Sequence, residues 1–282
     1  MSDPDGLLLI DKPSGVTSHD VVDMVRRALG TRKVGHAGTL DPMATGLLIV
    51  GVGRATRLLR FMGDLPKTYE GTARLGVETD TLDADGTVMA EHEVSVDVAA
   101  VRSAMLAGEG DSLQRPPAYS AVKVGGKKLY EAARAGERLE AEPRAIHVEG
   151  FELVDLRDTD LAFRLTCSSG TYVRVLLADV GTALGCGAHL TRLRRSAIGA
   201  FRVEDAVPPE PPLRPHPLER AVAHLPRVVL ETEEAIAAGH GRVLGPAAID
   251  GPYGVFAPDG RLIGIYRDDG PKARPEVILA PA

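Results

Sequence analysis

Residues 7–10 form an unbroken apolar run that Pro13 and Gly15 cut short, so the pattern predicts a buried strand and then a turn. Thr17-Ser18-His19-Asp20 opens the next stretch. There Val21, Val22, Val25 and Leu29 recur at helical spacing until Gly30, which predicts a helix with its stop signal. Residues 31–43 are polar and carry Gly35, Gly38 and Pro42, so they are expected to form a loop. Residues 46–52 are apolar again and predict a buried strand. Residues 67–75 alternate, which places Tyr69, Gly71, Ala73 and Leu75 on one strand face. A helix is expected over 96–106, and a strand, turn and helix over 121–135 around Gly125-Gly126. The segments 145–154 and 161–167 alternate and are expected to pair. Residues 171–184 read as a helix closed by Gly185.

The pattern then changes. Pro208, Pro209, Pro211, Pro212, Pro215 and Pro217 crowd a short stretch that can continue neither a helix nor a central strand. Residues 206–224 are therefore expected to be a linker between a large domain, 1–205, and a small one, 225–282. In the small domain, apolar runs at 228–230, 255–256, 262–265 and 277–279 alternate with Gly, Pro and Asp, which predicts β structure. The fold class is α+β, and no internal repeat is visible.

Composition narrows the class of protein. At 282 residues, 44% hydrophobic and 26% charged, the chain has the balance of a globular protein rather than a disordered or collagenous one. No apolar run approaches the roughly 18 residues of a spanning helix, and residues 1–13 lack the layout of a signal peptide. Two cysteines, Cys167 and Cys186, cannot build a disulfide framework, so a reducing, cytoplasmic setting is expected. Asn is absent, which excludes N-linked glycosylation. Aromatics are 4% with no Trp, which weighs against a surface that reads single strands by many stacked rings.

The formal charge is −6, yet the charges are segregated. Arg26, Arg27, Arg32, Lys33, Arg54, Arg57 and Arg60 face a single acid, Asp41, within 26–60. Arg115, Lys123, Lys127 and Lys128 face none within 115–128, and Arg192, Arg194, Arg195 and Arg202 face none within 186–202. Acids gather instead at 80–97. An acidic protein can carry a basic, nucleic-acid-binding face in this way. Each cluster taken alone reads equally well as a solvated face.

Several short patterns fail. Gly51-Val52-Gly53-Arg54-Ala55-Thr56 has Thr where a dinucleotide loop needs its third Gly. Asp83-Ala84-Asp85-Gly86 aligns with a calcium loop only by placing Thr81 and His92 at ligand positions, so an Asp-Gly hairpin turn is expected. Cys186 and His189 would be half a zinc site without the other half. No G-x-S-x-G elbow exists. The informative segment is Gly35-His36-Ala37-Gly38-Thr39-Leu40-Asp41-Pro42-Met43-Ala44-Thr45-Gly46: a lone carboxylate in a glycine-punctuated loop, amid basic residues, before a buried strand. By spacing alone Asp41 reads first as an Asx turn.

VGHAGTLDPMATGLLIVGVGRATR resembles the catalytic motif of the TruB family of tRNA pseudouridine synthases. LLIDKPSGVTSHDVV resembles the motif before it. KTYEGTARLGVETDTLDADG, RPPAYSAVKVGGKKLYEAARAG and CSSGTYVRVLLADVGTALGCGAHLTRLRRSAIGAF resemble the remaining blocks, in family order, from about residue 7 to 201. The tail is loosely similar to the family's small RNA-binding PUA domain. The resemblance implies a mixed, largely antiparallel central sheet flanked by helices, with a PUA-like C-terminal domain. It implies conversion of the T-loop uridine at tRNA position 55 to pseudouridine, with base flipping and neither metal nor cofactor. Asp41 is then the catalytic carboxylate, Arg174 its partner and Tyr69 the tyrosine packed on the target base. His36 would fill the vacancy left by the flipped base, and Tyr172 and Leu193 would line its pocket. Lys12 and Asp83 fall in family blocks without an assigned step. The run Arg192-x-Arg194-Arg195 is expected to contact phosphate.

The expected partner is the tRNA T arm, with no membrane and no guide RNA or protein subunit, and the chain acting as a monomer. Competing readings are a catalytically silent tRNA-binding folding aid, a synthase acting on another RNA, and a small-molecule glycosidase. The last would need Asp83 as a second carboxyl group.

Overall fold

The computed structural model describes residues 4–279. The first apolar run lies in β1 (Gly6–Lys12), which sends Leu8 and Ile10 to one face and Leu7 and Leu9 to the other. Both faces are covered, and that is why the run is continuous rather than alternating. Helix α1 (Ser18–Leu29) begins in a capping box. The Thr17 hydroxyl accepts the Asp20 N–H, and the Asp20 carboxylate accepts the Thr17 N–H at 2.8 Å. It ends at Gly30, in the left-handed conformation with φ 65°. Its buried stripe, Val21, Val22 and Val25, packs with Leu8, Ile10, Leu48 and Val50.

The polar stretch expected as a loop is a strand at its centre. β2 (Val34–Ala37) pairs antiparallel with the second half of β3 (Thr45–Val52). Four residues, one Gly and one His among them, are too few to reveal a period. Two 3₁₀ turns, Gly53–Arg57 and Leu59–Met62, lead to β4 (Lys67–Leu75), where Tyr69, Ala73 and Leu75 are buried as the alternation predicts. β5 (Val77–Thr79) and β6 (Val88–Glu91) form a hairpin around the Asp83–Gly86 segment. Then come α2 (Val98–Leu106), β7 (Gly110–Gln114), and a small hairpin, β8 (Lys123–Val124) and β9 (Lys127–Lys128). Gly125 and Gly126 turn it with φ 59° and 87°. α3 (Leu129–Arg134), the paired β10 (Arg144–Arg157) and β11 (Asp160–Cys167), and α4 (Val173–Ala183) complete the expected elements of the large domain.

β12 (Ala188–Ile198) has no counterpart among the elements expected from the sequence, yet it is central. The sheet runs β1-β3-β12-β4-β11-β10-β7, with β2 beside β3 and β13 (Phe201–Arg202) beside β12. Only β3 and β12 are parallel, through Thr45 with Arg194 and Gly46 with Arg195; every other pair in this sheet is antiparallel. Three arginines in four residues hid the strand, because one of them, Arg195, is 1% exposed and replaces an apolar residue in the alternation.

The proline-rich segment is not a free linker. Val207 and His216 exchange backbone hydrogen bonds with Leu9 and Asp11, and with Leu7, along the outer edge of β1. The prolines occupy the excursion between these two anchor points, where no strand N–H is needed. The C-terminal unit holds β14 (Arg227–Val229), α5 (Thr232–Gly239), β15 (Pro252–Phe256), β16 (Leu262–Asp269) and β17 (Lys272–Ile278), with the strands in that order. Helix α5 lies within what the sequence presents as β structure. Phe256, Leu262, Ile265, Val277 and Leu279 share one core with Leu7, Leu9, Leu47, Ile49, Leu58 and Met62. The small domain therefore covers the β1–β3 face opposite α1.

Candidate active site

β3 changes partner along one edge: β12 pairs at Thr45 and Gly46, and β2 at Ile49 to Val52. Residues 38–44 leave β2, turn, and re-enter β3 beside β12, and Asp41 stands in this turn. The loop is held from behind by the β1–α1 connection. Ser18 Oγ accepts the Leu40 N–H at 2.9 Å, the Gly15 N–H donates to the Pro42 carbonyl at 2.9 Å, and Ser14 Oγ donates to the Met43 carbonyl at 3.1 Å. Lys12, wholly buried, donates to the Pro42, Pro13 and Val16 carbonyls at 3.1, 3.0 and 2.7 Å. Burial pulls its pKa down to about 8, although the Asp41 charge opposes this.

In front of the loop lies Arg174, on the first turn of α4. Its Nη2 is 3.6 Å from Asp41 Oδ1 and its Nη1 is 3.3 Å from Asp83 Oδ2. The same guanidinium donates to the Tyr119 and Thr81 carbonyls at 2.6 and 3.2 Å. The Arg174 and Asp83 side chains are 5% and 7% exposed, whereas that of Asp41 is 38% exposed. Asp41 is thus the member of this cluster that a substrate can touch. Its pKa is raised: burial is the main cause, Arg174 and Lys12 oppose it, and the Asp83 charge adds to it. Asp83 is further committed by accepting from Thr81 Oγ1 at 2.6 Å and the Asp85 N–H at 3.2 Å. It holds Arg174 and offers no free second carboxyl group for glycosidase chemistry.

The apolar side of the site comes from the sheet. Tyr69 on β4 is 8% exposed and Leu193 on β12 is 7% exposed; both belong to the core cluster that includes Leu40 and Ala44 of the loop. Burial raises the Tyr69 phenol, and the Arg195 charge opposes this. Tyr172 is the residue that caps α4, two before Arg174. Gln114 clamps its backbone at two points, accepting its N–H at 2.7 Å and donating to its carbonyl at 3.1 Å. Gln114, Lys12, Ser18 and Tyr119 are site-shaping residues to which the sequence reading gave no role. Lys12, Ser18 and Tyr119 lie within the blocks that resemble the family, which was the available signal for them; Gln114 lies just before such a block. His36 lies on β2, not in a loop. Its Nδ1 is buried without a partner, and burial lowers its pKa.

Two expected phosphate contacts are placed otherwise. Arg194 makes a forked pair with Asp11, Nη2 to Oδ2 at 2.7 Å and Nη1 to Oδ1 at 3.0 Å, which ties β12 to β1. Arg195 points inward and donates to the Leu47, Gly38 and Thr39 carbonyls at 2.8, 3.0 and 3.5 Å. A side chain 1% exposed cannot meet a phosphate, so its assignment to the RNA surface is corrected. The basic cluster at 26–60 is also partly engaged within the protein, although Arg54, Arg57 and Arg60 stay exposed. Arg54, Arg57 and Arg60 donate to the carbonyls of Leu279, Ile278 and Glu276 and so grip the end of the small domain. Arg27, Arg32, Lys33, Lys123 and Arg192 remain exposed. His189 Nδ1 meets the Val77 carbonyl at 2.9 Å, and Cys167 and Cys186 are buried free thiols.

Known proteins are similar over the whole length. The TruB family pseudouridylate synthase N-terminal domain matches residues 26–173. The tRNA pseudouridylate synthase B C-terminal domain matches 174–236, and the tRNA pseudouridine synthase II C-terminal domain matches 225–280. A tRNA pseudouridine synthase B of Thermobifida fusca is 46% identical, over 98% of this chain and 99% of its own; one of Mycolicibacterium paratuberculosis is 45% identical over 99% of each. Among solved structures, a Cbf5-Nop10-Gar1 complex has a chain with TM-score 0.76 and 26% identity, matched over 98% of this chain and 85% of that one. An H/ACA RNP bound to a substrate RNA containing 2′-deoxyuridine has one with TM-score 0.75. A half-open aspartate faced by a buried arginine, on a mixed sheet carrying a small β domain, agrees with these likenesses: the chain belongs to the TruB family of pseudouridylate synthases.

Proposed function

We propose that the protein isomerises a tRNA uridine, that of the T loop at position 55, to pseudouridine, with Asp41 as the catalytic carboxylate. The observation that carries this reading is the Asp41–Arg174–Asp83 cluster: one carboxylate open to solvent, paired with a buried guanidinium that a second, buried carboxylate holds in place. The relatives named tRNA pseudouridine synthase B supply the substrate class.

The reaction breaks the N1–C1′ bond, turns the uracil and joins C5 to C1′. The proton on C5 leaves and N1 gains one, so no atom is added and no electron is lost. One carboxylate suffices, because the leaving base stays bound and needs no second acid to release it. Arg174 keeps Asp41 ionised against the pull of burial. Tyr69 and Leu193 cover the apolar faces of the base. Tyr69, a buried phenol, also takes the role of moving the C5 proton. Tyr172, held by Gln114, lines the pocket, and His36 braces the RNA where the base has left its stack. The reading takes the chain as a monomer that needs no guide RNA or protein subunit. The T arm would lie across exposed Arg192 and the Lys123 hairpin.

Asp41→Asn tests this. With enzyme in excess over an unmodified T-arm hairpin, tritium release from C5 should fall by at least about three orders of magnitude, equivalent to ~4 kcal/mol of barrier. Hairpin affinity should be retained. Turnover near that of wild type, with deamidation excluded by mass spectrometry, overturns the assignment.

A further inference from the structure

Between its two partners on one edge, β3 leaves Leu47 and Leu48 without a strand beside them. The Arg195 side chain fills this gap. Its Nε donates to the Leu47 carbonyl, and Nη2 and Nη1 reach on to the carbonyls of Gly38 and Thr39, the limb of the loop that precedes Asp41. Its backbone sits opposite Tyr69 on β4 and opposite Gly46 where the loop re-enters β3. A Cβ on Gly46 would lie 2.4 Å from the Arg195 carbonyl oxygen, so β12 and the loop exit pack backbone to backbone with no room for a side chain. Lys12 holds the other limb of the loop through Pro42. We infer that Arg195 is a positioning residue for the reaction, holding the Gly38–Thr39 limb of the Asp41 loop and setting that loop against Tyr69; the inference rests on the proposed roles of Asp41 and Tyr69.

The electrostatics argue that this side chain is more than a plug. No carboxylate pairs with Arg195 among the described residues, and its charge helps to lower the pKa values of His36, Lys12 and Lys67. A buried cation satisfied only by carbonyls is costly, and an apolar residue of similar volume commonly fills such a gap at no loss of stability. What an apolar residue cannot do is bind three carbonyls from two segments at once. Lysine cannot reproduce it either, because an ammonium lacks the planar fork.

The test uses Arg195→Lys and Arg195→Met in the full chain, beside wild type and Asp41→Asn, with an unmodified T-arm hairpin. Single-turnover rate and hairpin affinity are measured separately. Both Arg195 variants should bind the hairpin within about threefold of wild type, since the residue is 1% exposed. The rate should fall about 100-fold in Arg195→Met and at least about tenfold in Arg195→Lys, as expected for a small misplacement of the reacting group. The pH profile separates positioning from simple destabilisation. Tyr69 is faced by Arg195 from β12, Cys167 from β11 and Asp41 from the loop, with Lys67 two residues along its own strand. Removing the Arg195 charge should move the alkaline limb of the rate profile upward in Arg195→Met and leave it in place in Arg195→Lys.

A wild-type rate in either folded variant overturns the inference. So does a loss of affinity that accounts for the whole loss of rate, because Arg195 would then support the RNA surface. If Arg195→Met does not fold, Arg195→Lys and amide exchange over residues 38–46 decide: faster exchange with a slower rate is expected, and no change in both is fatal. An active Asp41→Asn would defeat the underlying mechanism instead, whatever the Arg195 variants do.

Discussion

Asp41 has two opposed demands on it. The reaction needs the carboxylate, and the fold around it raises the pKa of the acid, chiefly through burial, with Arg174 and Lys12 opposing and Asp83 adding to the rise. A carboxyl whose folded pKa lies above its unfolded value binds more protons in the native state. Its ionisation therefore subtracts stability as pH rises through the window from the ordinary Asp value, near 3.8, to the raised one. Above that window the loss is complete, and below it there is none. Asp41→Asn, expected to be inactive, is thus also expected to melt somewhat higher than wild type at pH 7, by an amount that its partial exposure keeps small. The difference should shrink toward zero near pH 3. Scanning calorimetry of both proteins from pH 3 to 7 checks this, and a variant that melts lower at neutral pH would mean that the Arg174 contact outweighs burial. The same reasoning predicts an acid limb in the rate profile above the usual carboxylate range.

Elements meet at the active loop through a few backbone contacts, and these contacts make some glycines necessary. Gly46 has φ +101°, a conformation that side chains rarely adopt, besides its contact with Arg195. Gly46→Ala is expected to cost more than about 3 kcal/mol in urea denaturation, through both strain and overlap. Thr17→Ala provides the contrast. It removes one half of the α1 capping box, which should cost about 1 kcal/mol. The hydrogen bond from the Leu40 N–H to Ser18 would survive, so single-turnover rate should change little. A large loss of rate in Thr17→Ala would show that the cap, and not Ser18, sets the position of the loop.

At the scale of the whole molecule, charge and domain packing are linked. Part of the positive charge that the sequence displays as clusters is engaged within the protein: Arg195 is buried on the loop, while Arg194 on Asp11 and Arg54, Arg57 and Arg60 on the carbonyls of Leu279, Ile278 and Glu276 are tied down at the surface. The exposed residues without an internal partner, Arg192 among them, are the ones left to meet the RNA. Affinity for the T-arm hairpin should still fall with salt. Arg192→Ala should flatten the log affinity against log salt slope by about one unit, the share of one phosphate contact. Arg194→Ala should lower the melting temperature and leave the slope unchanged. Titrations at several salt concentrations measure both, and the opposite result would place the phosphate contact on Arg194 rather than Arg192. The shared core also changes what removal of the small domain would do. Cutting the chain at the proline-rich segment would strip cover from Leu7, Leu9, Leu47 and Ile49, so a truncated protein would report lost stability before it reported lost RNA contacts.

The sequence alone determined most elements, because β1 and β3 are continuous apolar runs buried on both faces, while α1, β4, β10, β11 and α4 bury one face by local periodicity, and Gly or Pro signals stop most of them. It also pointed to Asp41, Arg174 and Tyr69, through motif order rather than through any physical pattern. Only the tertiary structure decided the rest. β2 exists as a strand because β3 offers it an edge, and β12 because β4 pairs with it along nearly its whole length and β3 meets its other edge. The proline-rich segment is a strap because β1 has a free edge that Val207 and His216 can satisfy. Arg192, Arg194 and Arg195 are neighbours of one residue type, and the chain gives no sign of which is solvated, which is paired and which is buried. That depends on what stands opposite each one: open solvent for Arg192, Asp11 for Arg194, and for Arg195 the unpaired Leu47 carbonyl and the Gly38–Thr39 limb of the active loop.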